Sequence, residues 1–244
     1  MLKGRTRRGV VGVVASMAIV LTLVVAISGH HPAADGIALS RMHVAAFRLR
    51  AQSGSGEDLH VRECIGTQLK PRLFLTASHC IPDGDVAIDM RCRSMFQVEA
   101  WRPMFVDRIM RHPTHDLALV FLKSPHDCSL GGHELADHLD PGMELIGPPT
   151  AITQSGTNID DVEGLAVVVV ERDEHTLRVH TPRVCLDHGD SGYPIFAPSA
   201  TGSGELVGQL IAGSPDCTRL QTFLRLDTLA AWIERNGSQL GNQN

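Results

Sequence analysis

Residues 73–80, LFLTASHC, end a short apolar run on a histidine followed by a cysteine. Leu73–Thr76 is short, apolar and flanked by polar residues or proline, which is typical of a buried strand. The chain must then turn at His79 and Cys80. Two interpretations are open at this point: Cys80 is a small buried residue and His79 a loop residue, or the cysteine fixes the turn so that the imidazole points into a reaction site.

The composition is that of a globular chain. Of its 244 residues, 43% are hydrophobic and 20% charged, and the net charge is −5. The length allows one large domain or two small ones. Nucleic-acid binding needs a basic patch, so this mildly acidic chain is expected to have no nucleic-acid partner.

The N-terminus is typical of an export segment. An uncharged apolar run, residues 9–28, follows a basic start that holds Lys3, Arg5, Arg7 and Arg8. A basic start followed by an apolar core is typical of a signal peptide, and 20 such residues also suffice to cross a bilayer as a helix. We predict a signal peptide or a signal anchor over residues 1–28 and a spacer or pro-segment over residues 29–41. The remainder is expected to be secreted, or periplasmic at the cell envelope, with membrane contact only through an uncleaved residue 9–28 anchor.

An even number of cysteines agrees with export. All six follow the leader: Cys64, Cys80, Cys92, Cys128, Cys185 and Cys217. In an exported chain such a set indicates three disulfides. The segment HELADH, residues 133–138, is similar to a zinc-peptidase signature, but its histidines are five residues apart and would not share a helix face. With no C-x-x-C pair either, we predict no metal and no cofactor, and interpret HELADH as a solvated polar loop or short helix.

Short strands separated by turns account for most of the remaining chain. The predicted strands are residues 42–49, 73–76, 117–122, two within 165–182 joined by a turn at Asp173-Glu174, and 205–212. A helix is predicted over residues 226–237, with apolar residues at helical spacing and Asp227 as N-cap. This pattern predicts an all-β sandwich or a pair of barrels.

Two further segments carry candidate catalytic side chains. In HPTHDLALVFL, residues 112–122, Asp116 stands directly before an apolar strand; alone it is most simply a turn former or cap. In HGDSGYP, residues 188–194, Gly189 and Gly192 flank Asp190 and Ser191. Glycine permits a sharp turn whose amide N–H groups point into one concavity, although a serine in such a turn is also compatible with a simple loop hydroxyl.

Together the segments supply what acyl transfer to a serine requires: a base, a carboxylate that orients it, and N–H donors for the oxyanion. In this combination the chain resembles the trypsin/chymotrypsin-type serine proteases. The motifs that carry the resemblance are ECIGTQLKPRLFLTASHC (63–80), HPTHDLALV (112–120), GDSG (189–192) and the closing AAWIERN. The resemblance as a whole runs from Met42 to Asn236, roughly four-fifths of the chain.

The resemblance implies an all-β fold of two six-stranded antiparallel β-barrels followed by a C-terminal α-helix. The protease domain would span residues 42–236, with the first barrel over 42–135, the second over 145–225 and the helix over 226–236. A loop at 140–150 would join the halves. The implied activity is that of an exported, monomeric serine endopeptidase acting on protein or peptide substrates.

The roles implied by the resemblance follow the motifs. Ser191 would be the nucleophile, His79 the general base and then acid, and Asp116 the residue that orients His79. The backbone N–H groups of Gly189 and Ser191 would form the oxyanion hole. Of the cysteines, Cys64 would bridge Cys80 and Cys185 would bridge Cys217, leaving Cys92 and Cys128 as a third bridge or as two free thiols.

Three departures from the family pattern bear on substrate and activation. Cys185 stands six residues before Ser191, a spacing similar to that of the bacterial streptogrisin branch, and leaves no acid at the pocket floor. The pocket, formed by Cys185, Ile211, Ala212, Gly213 and Ser214, is therefore expected to take a small or apolar side chain. If Ala212 holds the position of a serine that often supports the aspartate, Asp116 loses one hydrogen bond.

The third departure is that no family-type activation site is present. Either activation differs, or a side-chain cation pairs with Asp190 in place of a freed N-terminus. Because of these departures, a second hypothesis stays open, in which the chain is a catalytically weak or inactive protease-like binding protein.

Overall fold

The computed structural model describes residues 46–93, 99–125, 132–140, 142–143, 145–147, 165–181, 186–198, 204–213 and 220–238. The predicted export segment and spacer, residues 1–28 and 29–41, lie outside these ranges. Of the predicted joining loop, 140–150, the described residues are 140, 142–143 and 145–147, and the last three form a strand rather than a loop. In the part of the chain that is described, no helix combines the length and apolar character needed to cross a membrane.

The first half forms a seven-stranded antiparallel sheet of order β5-β4-β1-β2-β3-β7-β6. Its strands are β1 Ala46–Ser53, β2 His60–Lys70, β3 Leu73–Thr76, β4 Val86–Arg93, β5 Glu99–Met104, β6 Val106–Arg111 and β7 Ala118–Leu122. Only Phe105 separates the two edge strands, so one bent segment pairs with β4 on one side and with β7 on the other. This bend is why the described sheet has seven strands where the resemblance implies a barrel of six.

The second half is a closed barrel of order β10-β13-β12-β11-β8-β9. Its six strands are β8 Leu145–Gly147, β9 Leu165–Arg172, β10 Thr176–His180, β11 Pro194–Ala197, β12 Glu205–Ala212 and β13 Gln221–Arg225. The predicted turn between β9 and β10 is present, and Thr176 closes it by donating its hydroxyl to Asp173 over 3.1 Å. The all-β fold with a six-stranded barrel is confirmed.

A 3₁₀ turn, Asp227–Leu229, leads into the C-terminal helix α1, Ala230–Gly237. The predicted N-cap was wrong, because no side chain caps this helix. The Asp227 carboxylate instead accepts two hydrogen bonds from the Arg225 guanidinium, at 3.1 and 2.5 Å. Both side chains of this pair are at least nine-tenths buried, and a bidentate charged pair is stronger than a single cap bond.

The HELADH interpretation also needs correction at its first residue. His133 is 6% exposed rather than solvated, and its ring lies 4.5 Å from that of Phe196. Two residues on, Leu135 makes an isolated bridge with Leu206 of β12. The segment is therefore an irregular connection fastened to the second barrel, and burial lowers the pKa of His133.

Strands β3 and β7 serve two cores at once, which explains why their sequences are continuous apolar runs. Every residue of both strands is buried. Phe74 and Val120 pack into the core of the first sheet, with Phe47 and Leu49, whereas Leu75 packs into the larger core around the second barrel. A strand buried on both faces has no polar alternation to show.

A disulfide fastens the end of β3 to β2. Cys64 and Cys80 are bonded, with their Cα atoms 6.0 Å apart and a sequence separation of 16. Both residues are buried. The bond holds the 3₁₀ turn Ser78–Cys80, and with it His79, against the sheet.

We expect the Cys64→Ala/Cys80→Ala double variant to lose about 3 kcal/mol of unfolding free energy, because a 16-residue loop is no longer closed in the unfolded chain. Urea denaturation followed by circular dichroism measures the loss. The single variants Cys64→Ala and Cys80→Ala each remove the same bond, so both should match the double variant. An unchanged unfolding midpoint would contradict this account.

Candidate active site

The pairing of β3 with β7 brings the predicted histidine and aspartate together. Thr76 lies opposite Ala118 in the ladder, so His79 follows the end of one strand where Asp116 precedes the start of the other. Nδ1 of His79 is 2.6 Å from Oδ2 of Asp116, and the His79 backbone N–H donates to Oδ1 over 2.9 Å. Since a carboxylate can only accept, the ring proton lies on Nδ1.

Hydrogen bonding keeps Asp116 ionised although it is partly buried. Burial raises the pKa of the Asp116 carboxyl and is the largest single effect. It is outweighed by the hydrogen bonds from the His79 ring and backbone, by the charge of His79 and by a backbone hydrogen bond from Ser78, so the pKa is lowered. A carboxylate that accepts several hydrogen bonds is held in its charged form.

The predicted nucleophile meets the other nitrogen of the same ring. Nε2 of His79 is 2.8 Å from Oγ of Ser191. With its proton on Nδ1, the imidazole accepts the serine hydroxyl proton at Nε2. The structure therefore brings the three predicted side chains, from positions 79, 116 and 191, into one continuous line of hydrogen bonds.

Backbone contacts from both halves fix the Ser191 turn. The Ser191 carbonyl accepts the Ile65 N–H of β2 over 2.8 Å, and the Gly192 N–H donates to Leu210 of β12 over 2.7 Å. Gly192 has φ +87°, and a Cβ there would lie 2.0 Å from the Ile65 carbonyl oxygen. No other residue fits this position, because the turn lies directly on the backbone of β2.

The predicted oxyanion donors belong to the same turn. Gly189 has φ +92°, a conformation in the left-handed region that favours glycine. Within the described residues, neither the Gly189 nor the Ser191 N–H donates to a backbone carbonyl. Their role as oxyanion donors stays a prediction.

Arg48 supplies the cation near Asp190 that the sequence did not reveal. Asp190 is 5% exposed, and its Oδ1 lies 3.7 Å from Nη2 of Arg48 on β1. Its Oδ2 accepts the Asp187 N–H over 2.9 Å. Burial raises the pKa of Asp190, and the Asp187 hydrogen bond and the Arg48 charge only partly oppose this. Arg48 alternates with buried residues in β1, the ordinary pattern of a solvent-facing residue, so the sequence carried no signal of this role.

Three of the five predicted pocket residues, Ile211, Ala212 and Gly213, lie within the described residues. Ile211 and Ala212 are the last residues of β12. Gly213 follows them and packs against the backbone of Leu186, since a Cβ on Gly213 would lie 2.4 Å from the Leu186 carbonyl oxygen. The pocket residues Cys185 and Ser214 lie outside the described residues. So do Cys128 and Cys217, while of Cys92 only the backbone, in β4, is described. The side chains of residues 211–213 contain no hydrogen-bond donor for Asp116.

A cleft of about 450 Å³ is lined by His79 and Asp116 together with residues 81–83 and 111–115. Arg62 also lines it and donates to the His79 carbonyl. The one group of described residues close enough to hold a metal ion is Cys64, His79 and Cys80, and its two sulfurs are already bonded to each other.

A stack of aromatic rings stands directly before Asp116. His112 lies with its ring centroid 4.7 Å from those of both His115 and Trp232 of α1, and His115 is 4.5 Å from His175 of the β9–β10 turn. His112 and His115 are partly buried. Burial is the main cause that lowers the pKa of each, and the neighbouring histidines add to it.

The comparisons with known proteins agree with this fold. The solved structure of GrC matches at a TM-score of 0.57 and 15% identity, and that of scabies mite inactivated protease paralogue S-I1 at 0.56 and 20%; each match covers 79% of this chain and 94% of the other. These likenesses define the class as the two-barrel protease fold.

Sequence similarity identifies the family. The Trypsin family profile matches residues 40–233, so the chain belongs to the trypsin family. Two Corynebacterium glutamicum proteins that carry the name peptidase are also similar. Cgl1093 of strain ATCC 13032 is 39% identical, and an uncharacterized peptidase of strain R is 32% identical, both over 159 residues covering 60% of this chain and 52% of theirs. The chain thus matches about half the length of these relatives.

We expect Arg48→Met to lower both stability and peptidase activity, because it leaves Asp190 buried without a counter-charge. Loss of one partner of a fully buried pair costs about 3–5 kcal/mol, and the cost here should be smaller because the Arg48 side chain is 20% exposed. Arg50→Met is the matched control, since Arg50 lies two residues along the same strand, pairs with Glu63 and stacks on Trp101. Equal melting temperatures and equal kcat/KM in the two variants would contradict the role given to Arg48.

The histidine stack predicts a loss of stability in acid. His112 and His115 have lowered pKa values in the folded chain, so the unfolded chain binds more protons as the pH falls below about 6.5. Their contribution is complete above that pH and declines below it. His115→Gln should therefore reduce the fall in melting temperature between about pH 7.5 and 5.5, whereas His138→Gln, at an exposed position, should not. An identical fall in both variants would disprove the effect.

Proposed function

We propose that this trypsin-family chain is an exported serine endopeptidase that cleaves peptide bonds through an acyl-enzyme on Ser191. The observation that carries the proposal is the hydrogen-bonded line from Asp116 to His79, over 2.6 Å, and from His79 to Ser191, over 2.8 Å. A nucleophile, a base and an orienting carboxylate in such contact meet the geometric requirement for nucleophilic catalysis.

The reaction follows from what each atom can do. Oγ of Ser191 attacks the scissile carbonyl carbon while Nε2 of His79 takes the hydroxyl proton. The imidazolium that forms is stabilised by the Asp116 carboxylate, and the oxyanion by the Gly189 and Ser191 N–H groups. His79 then protonates the leaving amine, the peptide C–N bond breaks and an ester on Ser191 remains. A water molecule, deprotonated by the same nitrogen, hydrolyses that ester and restores Ser191.

The Arg48–Asp190 contact supports an activation mode without a freed N-terminus. In this proposal the charge that stabilises buried Asp190 comes from a side chain of β1 rather than from a new terminal ammonium. The turn that holds the oxyanion donors is then formed as soon as the chain folds. No proteolytic step would be needed to build it.

Substrate and location are proposed on the same basis. The apolar residues Ile211, Ala212 and Gly213 favour a small or apolar side chain before the cleaved bond. The basic and apolar leader favours secretion or anchoring at the cell envelope, and monomeric action on protein or peptide substrates is the simplest mode of use. Because the named relatives are about twice as long as the matched region, these assignments are made for this chain alone.

A fluorophosphonate probe tests the proposal directly. We expect it to label the folded wild-type protein at Ser191 and to leave Ser191→Ala unlabelled, while Ser55→Ala, at an exposed loop serine, is labelled like wild type. Peptide hydrolysis by Ser191→Ala should fall by about 10³-fold or more. A folded wild-type protein that takes up no label would overturn the enzyme assignment and favour the protease-like binding protein.

A further inference from the structure

Gln209 is a fully buried polar residue next to the catalytic groups that the mechanism above does not use. It lies in β12 of the second barrel and is 0% exposed. A buried amide is costly unless it is hydrogen-bonded. Its Nε2 atom meets two acceptors, the carbonyl oxygen of Thr76 at 3.3 Å and that of Asp116 at 3.2 Å.

Both acceptors belong to the first sheet and flank the histidine–aspartate pair. Thr76 ends β3 just before the His79 turn, and Asp116 stands just before β7. One NH₂ group has two hydrogens, so it can satisfy both carbonyls together. Gln209 thus joins the second barrel to the two segments of the first sheet that carry the proposed base and its orienting carboxylate.

The orientation of the amide is dictated by its surroundings. Turning the amide over would set Oε1 against two carbonyl oxygens, which is repulsive. In the observed orientation Oε1 is buried and, among the described residues, has no hydrogen-bond partner. An unsatisfied buried oxygen is destabilising, so a methionine or leucine would pack here at lower cost if filling space were the only requirement.

We propose that Gln209 is a positioning residue that fixes the Asp116 backbone, and through it His79, by donating from the second barrel to the Asp116 and Thr76 carbonyls. The inference rests on the proposed function. Asp116 is then held at both ends: its carboxylate by N–H groups of the His79 turn, and its carbonyl by Gln209. Gln209 lies in β12. The last two residues of this strand, Ile211 and Ala212, and the following Gly213 have no side-chain donor for Asp116.

The test compares two isosteric variants with a matched control. Gln209→Met keeps the length of the side chain and removes the donor. Gln209→Glu keeps the shape and sets oxygens against the two carbonyls. The control is Gln221→Met, because Gln221 is also buried in the second barrel, at 2% exposure, and its amide oxygen accepts from Thr181 instead.

We expect Gln209→Met to lower kcat/KM by roughly tenfold, mainly through kcat, since a misplaced catalytic group costs up to about a hundredfold per ångström. Gln209→Glu should lose more, and Gln221→Met less than twofold. Both variants should have a lower melting temperature. The downfield proton resonance of the His79 Nδ1–H, however, should shift in Gln209→Met and not in Gln221→Met.

A Gln209→Met protein that is less stable, but keeps the wild-type kcat/KM and the same Nδ1–H resonance, would overturn the inference. If that variant does not fold, the wild type supplies the test: a scalar coupling across the hydrogen bond between Gln209 Nε2 and the Asp116 carbonyl carbon is expected, and its absence would overturn the inference. Fluorophosphonate labelling of the wild type separates the two proposals. An unlabelled wild type defeats the proposed function and this inference with it, whereas a labelled wild type with an unaffected Gln209→Met defeats only the inference.

Discussion

The antiparallel pairing of β3 with β7 is the constraint on which the site depends. When Thr76 lies opposite Ala118, the turn after β3 and the residue before β7 must meet at the same end of these two adjacent strands. Both strands are buried on both faces, so a slip by one residue would exchange the two apolar sets between two cores. Packing of the cores therefore fixes the register, and the register fixes the distance between His79 and Asp116.

Ser191 lies at this end of the two strands because its turn is hydrogen-bonded to the backbones of two different sheets. Ile65 of β2 donates to the Ser191 carbonyl, and Leu210 of β12 accepts from Gly192. Backbone contacts leave little freedom, and the close approach of Gly192 to β2 excludes any side chain at that point. The proposed nucleophile, base and carboxylate thus come from segments whose positions are each fixed by main-chain hydrogen bonds, which is the rigidity that the proposed catalysis needs.

The charges of Asp116 and Asp190 are stabilised by neighbouring groups of the protein rather than by solvent. Asp116 is held ionised by hydrogen bonds from the His79 turn, which lower its pKa. Asp190 is the opposite case, because burial raises its pKa and Arg48 opposes this at 3.7 Å. The pKa values of these two carboxyl groups are therefore shifted in opposite directions: Asp116 accepts hydrogen bonds from the His79 turn, and Asp190 is buried beside Arg48.

The amino-acid sequence alone identified the strands around 73–76, the hairpin at 173–174, the terminal helix and the three segments that carry His79, Asp116 and Ser191. These features depend on local apolar runs, turn residues and motifs of a few residues. It did not reveal the ion pair that draws Asp227 away from the helix N-terminus, the Arg48–Asp190 contact, or the reach of Gln209 to the Asp116 carbonyl. Each of these joins residues that are distant in the chain, or depends on which face of a strand is buried. Short sequence patterns therefore predicted which residues belong to the site. Which of those residues are in contact depends on the packing of the two sheets, because strand register and burial, rather than proximity in sequence, determine the contacts across an interface.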